Sequence, residues 1–174
     1  VADLACGSGA AALALAPWVG RVIGVDRSPE MLQAAGRRAR GVDNILFEEG
    51  NLERLPIADG TCDAALMLLA LTQVDEPALA VAEMARIVKP GGRAVVVDLL
   101  RHDREEFRRQ MGQKRSGFDP EDLTRLLAAS GFDAVRCSPL PPEPEARGPA
   151  LLLASGTRVS PGIPPQRRKK GSAS

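Results

Sequence analysis

Asp3-Leu4-Ala5-Cys6-Gly7-Ser8-Gly9, followed past an Ala/Leu-rich stretch by Val22-Ile23-Gly24-Val25-Asp26, decides the fold of this chain. Val1–Ala5 is apolar apart from Asp3 and reads as a buried strand. Cys6–Gly9 is a turn, and Ala10–Ala16 is helical by propensity. Arg21–Val25 is a short β-branched run, hence a second strand. Strand, glycine turn, helix and strand in succession begin a parallel sheet, because parallel neighbours need a crossover between them.

Working outward, Ser28-Pro29-Glu30 is a helix start, with an N-cap, a proline at N1 and an early acid. That helix is expected to reach about Arg40 and stop at Gly41. Asn44–Glu48 reads as a third strand. Cys62–Leu69 reads as a fourth, apolar and buried on both faces. Asp75-Glu76-Pro77 opens a helix carrying Leu79, Val81, Met84, Ile87 and Val88. Lys89-Pro90-Gly91-Gly92 ends it, with Lys89 as the C-terminal cation. Arg93–Leu99 is a fifth strand. Arg104–Met111 is expected to be helical, with Glu105 and Arg109 paired at i, i+4. Asp119 caps a further helix that ends at Gly131, with Phe118 and Leu123 as a hydrophobic staple. Asp133–Cys137 and Ala150–Ser155 are two closing strands around a Pro-rich stretch. The reading is an α/β, Rossmann-like doubly wound sheet, mostly parallel, with a C-terminal antiparallel hairpin strand. From Val159 the chain is Pro, Gly, Ser and basic residues, so residues 159–174 are expected to form a disordered basic tail.

The glycine turn carries chemistry. Gly7 and Gly9 let a ligand approach backbone closely, and free N–H groups open the following helix. Asp26 ends the second strand, where a carboxylate can accept both hydroxyls of a ribose. Together these favour a nucleoside-bearing cofactor. Gly7-Ser8-Gly9-Ala10-Ala11-Ala12 formally fits the dinucleotide pattern G-x-G-x-x-[G/A]. Asp3 argues the other way, since a buried carboxylate at the end of the first strand suits an ammonium or sulfonium better than a pyrophosphate.

Asp3 to Gly9 resembles the first motif, D-x-G-x-G-x-G, of class I S-adenosylmethionine-dependent methyltransferases. Val22–Asp26 with Ser28-Pro29-Glu30-Met31-Leu32 resembles their second strand and the helix after it. Glu49 to Ile57, Asp63 to Val74 and Val88-Lys89-Pro90-Gly91-Gly92 resemble the later motifs, in family order. The resemblance implies S-adenosylmethionine as cofactor and methyl transfer to an unidentified acceptor, expected to be a small molecule. It places Asp3 near the aminoacid end of the cofactor and Gly7 and Gly9 against it. Asp26 is placed on the ribose, Asn51 at the adenine amino group and Leu52 on the ring. Ala5, Arg27 and Leu68 complete the expected donor set. Asn51 stands where the family has an acid, yet its side-chain oxygen still accepts from an amine. Ala5 replaces the first glycine, which is tolerable only with a negative φ.

The acceptor side departs further from the family. Leu71-Thr72-Gln73-Val74 stands where Leu-His-His-Val is common, and Gln113 to Ser116 lack a His and a Trp expected before Gly117-Phe118. Gln73 and His102 are the remaining candidates for acceptor contact or proton removal. Val97 to Glu105, with Gly117-Phe118, resembles methyltransferase domains fused behind an ArsR-type winged-helix regulator. Retained donor residues beside the altered Thr72, Gln73 and Arg115 give a second reading, a cofactor-binding regulatory or sensor module with a degenerate acceptor site, formerly or still fused to a DNA-binding domain. A nicotinamide-dependent oxidoreductase is the third.

Composition bounds these readings. The 174 residues are one domain's worth, 44% hydrophobic, with a formal net charge of +1. Arg167 to Lys170 supply four of the 23 basic residues, which leaves 19 against 22 acidic ones. Nothing draws the domain to nucleic acid or an anionic membrane. With 3% aromatics and no Tyr it has little with which to stack single-stranded bases. One histidine excludes a multi-histidine metal site. Cys6, Cys62 and Cys137 form no CxxC pair, which suggests a reducing, cytoplasmic setting. The opening at Val1, inside a strand, leads us to expect an N-terminally truncated domain over residues 1–158.

Overall fold

The computed structural model describes residues 1–141 and 148–160. Seven strands form one sheet: β1 (Ala2–Leu4), β2 (Val22–Asp26), β3 (Ile45–Glu49), β4 (Cys62–Leu68), β5 (Val88–Leu99), β6 (Phe132–Pro139) and β7 (Leu151–Arg158). Five helices accompany them: α1 (Ala10–Leu15), α2 (Pro29–Arg38), α3 (Pro77–Ile87), α4 (Glu105–Gln110) and α5 (Pro120–Ala129). A 3₁₀ turn, Ala16–Trp18, follows α1.

The strand order is β3-β2-β1-β4-β5-β7-β6. β1 to β5 pair in parallel, whereas β7 is antiparallel to both its neighbours. The closing strands form the expected antiparallel hairpin at the sheet edge, with β7 paired to β5 and β6 outermost. The residues explain which of the two strands lies inside. β7 alternates buried and half-buried positions and inserts Leu152 and Ala154 into the core, whereas β6 is mostly exposed and carries a bulge near Ala134, at φ +48°. Bulged, polar strands tolerate an edge.

The core lies on both faces of β1, β4 and β5. Leu4, Met67, Leu71, Val81, Met84, Ile87, Leu123 and Leu127 are fully buried. Each such side chain stabilises the fold by about 1.5–3 kcal/mol relative to exposure. α2 begins as expected: Ser28 Oγ accepts from Met31 N at 3.2 Å, with Pro29 next. It ends at Arg38, two residues early.

Four expectations are corrected. β4 is not buried throughout, since Asp63 is exposed and bonds Lys89 at 2.6 Å. With Lys89 so engaged, the basic residue in the last turn of α3 is Arg86. Glu105 pairs with Arg108, not Arg109, one turn away at i, i+3. Asp119 sits at the N-cap of α5 but makes no capping bond, because Arg101 Nε holds its carboxylate. Val159 N donates to Gly131 O, so the chain is still tied to the fold at the first residue of the expected tail. Residues 161–174 and 142–147 lie outside the described residues.

Candidate functional site

The chain runs outward from β1 to β2 and β3, then returns to β4 on the other side of β1. Ligands bind open α/β sheets at such a switch point, beyond the carboxyl ends of the strands. A cleft of about 470 Å³ lies there, lined by residues following β1 (Ala5, Gly7), by residues at and after β2 (Asp26, Arg27, Ser28), by the segment after β3 (Gly50, Asn51, Leu52) and by Leu68 to Ala70 after β4. That volume is in the range of small-molecule sites.

Asp26 organises the cleft. Its Oδ2 accepts from Gly7 N at 2.8 Å and its Oδ1 from Ser28 N at 2.9 Å. One carboxylate thus ties the glycine turn to the start of α2. Each oxygen keeps lone pairs for further donors. Gly9, at φ +78°, lies behind the turn. A Cβ there would stand 3.0 Å from both Ala35 Cβ and Phe47 Cζ, so glycine is what lets the turn seat against α2 and β3.

Ala5 overturns an expectation. Its φ is +59°, the left-handed region, and it lines the cleft. The methyl group is accommodated at the cost of strain, about 1–2 kcal/mol for a non-glycine residue there. We expect Ala5→Gly to raise stability by about 1 kcal/mol, read as an increased chemical-denaturation midpoint. An unchanged or lower midpoint would show that no strain is stored.

Asp3 is 2% exposed and is not among the residues lining the cleft, and its Oδ2 has no hydrogen-bond partner. Burial pushes its carboxyl up to about 6, with the Asp26 charge adding and a backbone bond from Ala12 opposing. Cys6, in the turn after β1, is pushed up to about 12 by burial and by the charges of Asp3 and Asp26. A thiol held protonated in this way is no nucleophile.

Of the residues expected from sequence, Ala5, Gly7, Asp26, Arg27, Asn51, Leu52, Leu68 and Gln73 line one cleft. Gln73 Nε2 donates to Leu69 O at 3.0 Å. His102 is not among the lining residues. Its Nδ1 accepts from Arg104 N, its ring meets Phe107 edge-on, and its Nε2 is buried without a partner. Sequence reasoning missed Met31, Leu69, Ala70 and Val74 in the lining. Met31 carries a signal, since it lies one turn into the helix that begins beside Asp26. Leu69 carries none, because its exposure depends on a φ of +54° just past β4.

A seven-stranded sheet with only β7 reversed, a glycine turn after β1 and an acid closing β2 define a class I S-adenosylmethionine-dependent methyltransferase domain. Residues 2–96 match the family model described as a methyltransferase domain, and the chain belongs to that family. Among curated relatives, a 37.1 kDa protein of transposon Tn4556 from Streptomyces fradiae is 35% identical over 153 residues, 79% of this chain and 44% of that protein. The 2-phytyl-1,4-naphtoquinone methyltransferase of Nostoc is 38% identical over 112 residues, 61% of this chain and 49% of that enzyme. The chain therefore spans less than half the length of these relatives. The solved structure of YcgJ from Bacillus subtilis superposes with a TM-score of 0.74, covering 91% of each chain at 23% identity. At that identity the likeness is one of fold.

The cleft fits the cofactor of this family. Asp26 offers a carboxylate with lone pairs free for hydroxyl donors, Leu52 an apolar wall and Asn51 a side-chain oxygen that can accept from an amine. Asp3 Oδ2 is a buried carboxylate oxygen without a hydrogen-bond partner. S-adenosylmethionine carries a sulfonium and an ammonium for which such a charge is suited. Among the described residues no helix is long and apolar enough to cross a membrane.

Proposed function

We infer that the chain is the donor-binding domain, over residues 1–158, of an enzyme that transfers a methyl group from S-adenosylmethionine to a small-molecule acceptor. The observation that carries this is the convergence of Asp26, Asn51, Leu52 and the glycine turn on one cleft at the switch point. When bound, the cofactor supplies an electrophilic methyl group, and the chain's task is to align donor and acceptor and to exclude water.

Asp26 holds the ribose and Asn51 faces the adenine amine. Gly7 and Ala5 run along the aminoacid portion, with the Asp3 charge behind them. Arg27 and Leu68 border the donor. Beyond it, Met31, Leu69, Ala70 and Val74 make an apolar mouth in which Gln73 is the polar group. Gln73 orients the acceptor through the amide hydrogen and carbonyl oxygen that its bond to Leu69 leaves free. Of the two acceptor-side candidates, Gln73 lines the cleft and His102 lies outside the lining, so geometry supports Gln73. The quinone-ring substrate named for the Nostoc relative is compatible with a mouth of this apolar kind. Free thiols at Cys6, Cys62 and Cys137 support a cytoplasmic setting.

The sensor reading rests on the altered acceptor-side residues alone, and a methyl transfer needs no dedicated base when the acceptor is already nucleophilic. The oxidoreductase reading is opposed by the reversed β7 and by Asp3. The test is calorimetric binding of S-adenosylmethionine and S-adenosylhomocysteine, followed by a screen for demethylated cofactor against small apolar acceptors. Micromolar binding is expected. Tight binding with no turnover against any acceptor would favour the sensor, and binding of a nicotinamide dinucleotide in preference would overturn both.

A further inference from the structure

The segment from β3 to β4 crosses twelve residues, 50–61, with no helix. A helix would satisfy its own backbone groups; an irregular segment packed on the core must find partners elsewhere. Leu52, Leu55 and Ile57 are buried at 8%, 6% and 6% exposure, so this segment lies against the core and not free in solvent.

The partners of its middle, at Leu55 and Ile57, come from two side chains of α3. Glu83 Oε2 accepts from Leu55 N at 2.7 Å. Arg86 donates to Leu55 O at 3.2 Å and to Ile57 O at 2.8 Å, and reaches Asp59 at 2.6 Å. The two side chains are locked together by a bidentate pair, Nε to Oε1 and Nη2 to Oε2, both at 2.7 Å. Fork-to-fork geometry of this kind fixes direction as well as distance. Glu83 is held below the usual carboxylate range by Arg86, which keeps the pair charged at neutral pH.

The same segment presents Gly50, Asn51 and Leu52 to the cleft. It is fastened upstream by Gly50 N donating to Asp26 O at 3.0 Å, and Asn51 is oriented by a turn in which its Oδ1 accepts from Glu53 N at 3.0 Å. Downstream of that turn, the next backbone anchor is the Glu83–Arg86 pair at Leu55. Neither Glu83 nor Arg86 lines the cleft.

We propose that Glu83 and Arg86 are positioning residues for the adenine end of the donor site, setting the 50–57 segment so that Asn51 and Leu52 meet the purine. This rests on the reading of the cleft as an S-adenosylmethionine site. Because the pair acts through Asn51, its loss should fall on recognition of the purine's exocyclic amine more than on the rest of the ligand.

The experiment compares S-adenosylhomocysteine with S-inosylhomocysteine, which lacks that amine, by calorimetry on the wild-type chain, E83A and R86K, with melting curves recorded for each. R86K keeps the charge and loses the fork, so it stands in should E83A fail to fold. In the variants the amine-bearing ligand should weaken at least about tenfold and the inosine analogue by less than about threefold, so that discrimination collapses. In an N51A background, E83A should leave the ratio unmoved. Equal loss for both ligands, or no loss, would overturn the proposal. A wild-type chain that binds both ligands equally would overturn the Asn51 role and this inference with it. No binding of S-adenosylhomocysteine by the wild type would overturn the donor-site reading itself.

Discussion

Asp26→Ala will remove S-adenosylhomocysteine binding by at least about 100-fold, which is about 3 kcal/mol. Two ribose hydroxyls donating to one carboxylate are charge-assisted bonds, each worth about 1.5–3 kcal/mol. The substitution also frees Gly7 N and Ser28 N, so the glycine turn and the start of α2 lose their common tie. Calorimetry measures the loss. Asp26→Asn separates the two contributions. It keeps the shape and one of the two backbone bonds but turns an NH₂ group toward the other donor, so binding should fall with a smaller loss of melting temperature than in Asp26→Ala. Wild-type affinity in Asp26→Ala would remove the ribose assignment.

Asp3→Asn is the second large effect, and it appears as pH dependence. The folded protein holds this carboxyl near 6 against an ordinary value of 3.8. A raised carboxyl means that the native state binds the proton more tightly than the unfolded chain. Its contribution therefore leaves stability highest below 3.8, lowers it as pH rises through about 6, and is flat above. The interval is worth about 3 kcal/mol at neutral pH. Asp3→Asn should raise stability at pH 7 by an amount of that order and change little at pH 3. The slope of unfolding free energy between pH 4 and 6 should flatten accordingly. Binding should move the opposite way. In the wild type, affinity for the cationic S-adenosylmethionine should rise as pH passes through about 6, and in Asp3→Asn it should be weaker and level. Denaturant melts and calorimetry across pH 4 to 8 check both. Parallel pH profiles in the two proteins would show that Asp3 is not the titrating group.

Most of the donor site is local in the chain. The Gly7–Gly9 turn, Asp26 at a strand end and the Ser28-Pro29 cap each follow from backbone preferences acting over a few residues. Their order along the chain then places them at one switch point. The acceptor side is different. Leu69, Ala70 and Val74 become neighbours of Asp26 only because β4 returns beside β1. Nothing in Leu69-Ala70 announces a cleft wall, and Leu69 is turned outward by a backbone conformation that leucine rarely adopts. His102 shows the converse. It follows β5 in sequence, as a cleft residue would, yet the loop carries its ring onto Phe107.

By itself the sequence determined the parallel α/β sheet and the nucleoside-bearing class of cofactor, and it put an acid at the end of β2, because periodicity, turn chemistry and capping are properties of adjacent residues. Tertiary structure alone decided that β7 enters beside β5, that Ala5 bears a positive φ, that Asp3 Oδ2 is buried without a partner, and that Glu83 and Arg86 carry the helix-free crossing. Each of these depends on which distant backbone groups are left without a partner once the sheet has closed around its core, and no short window of sequence contains that sum.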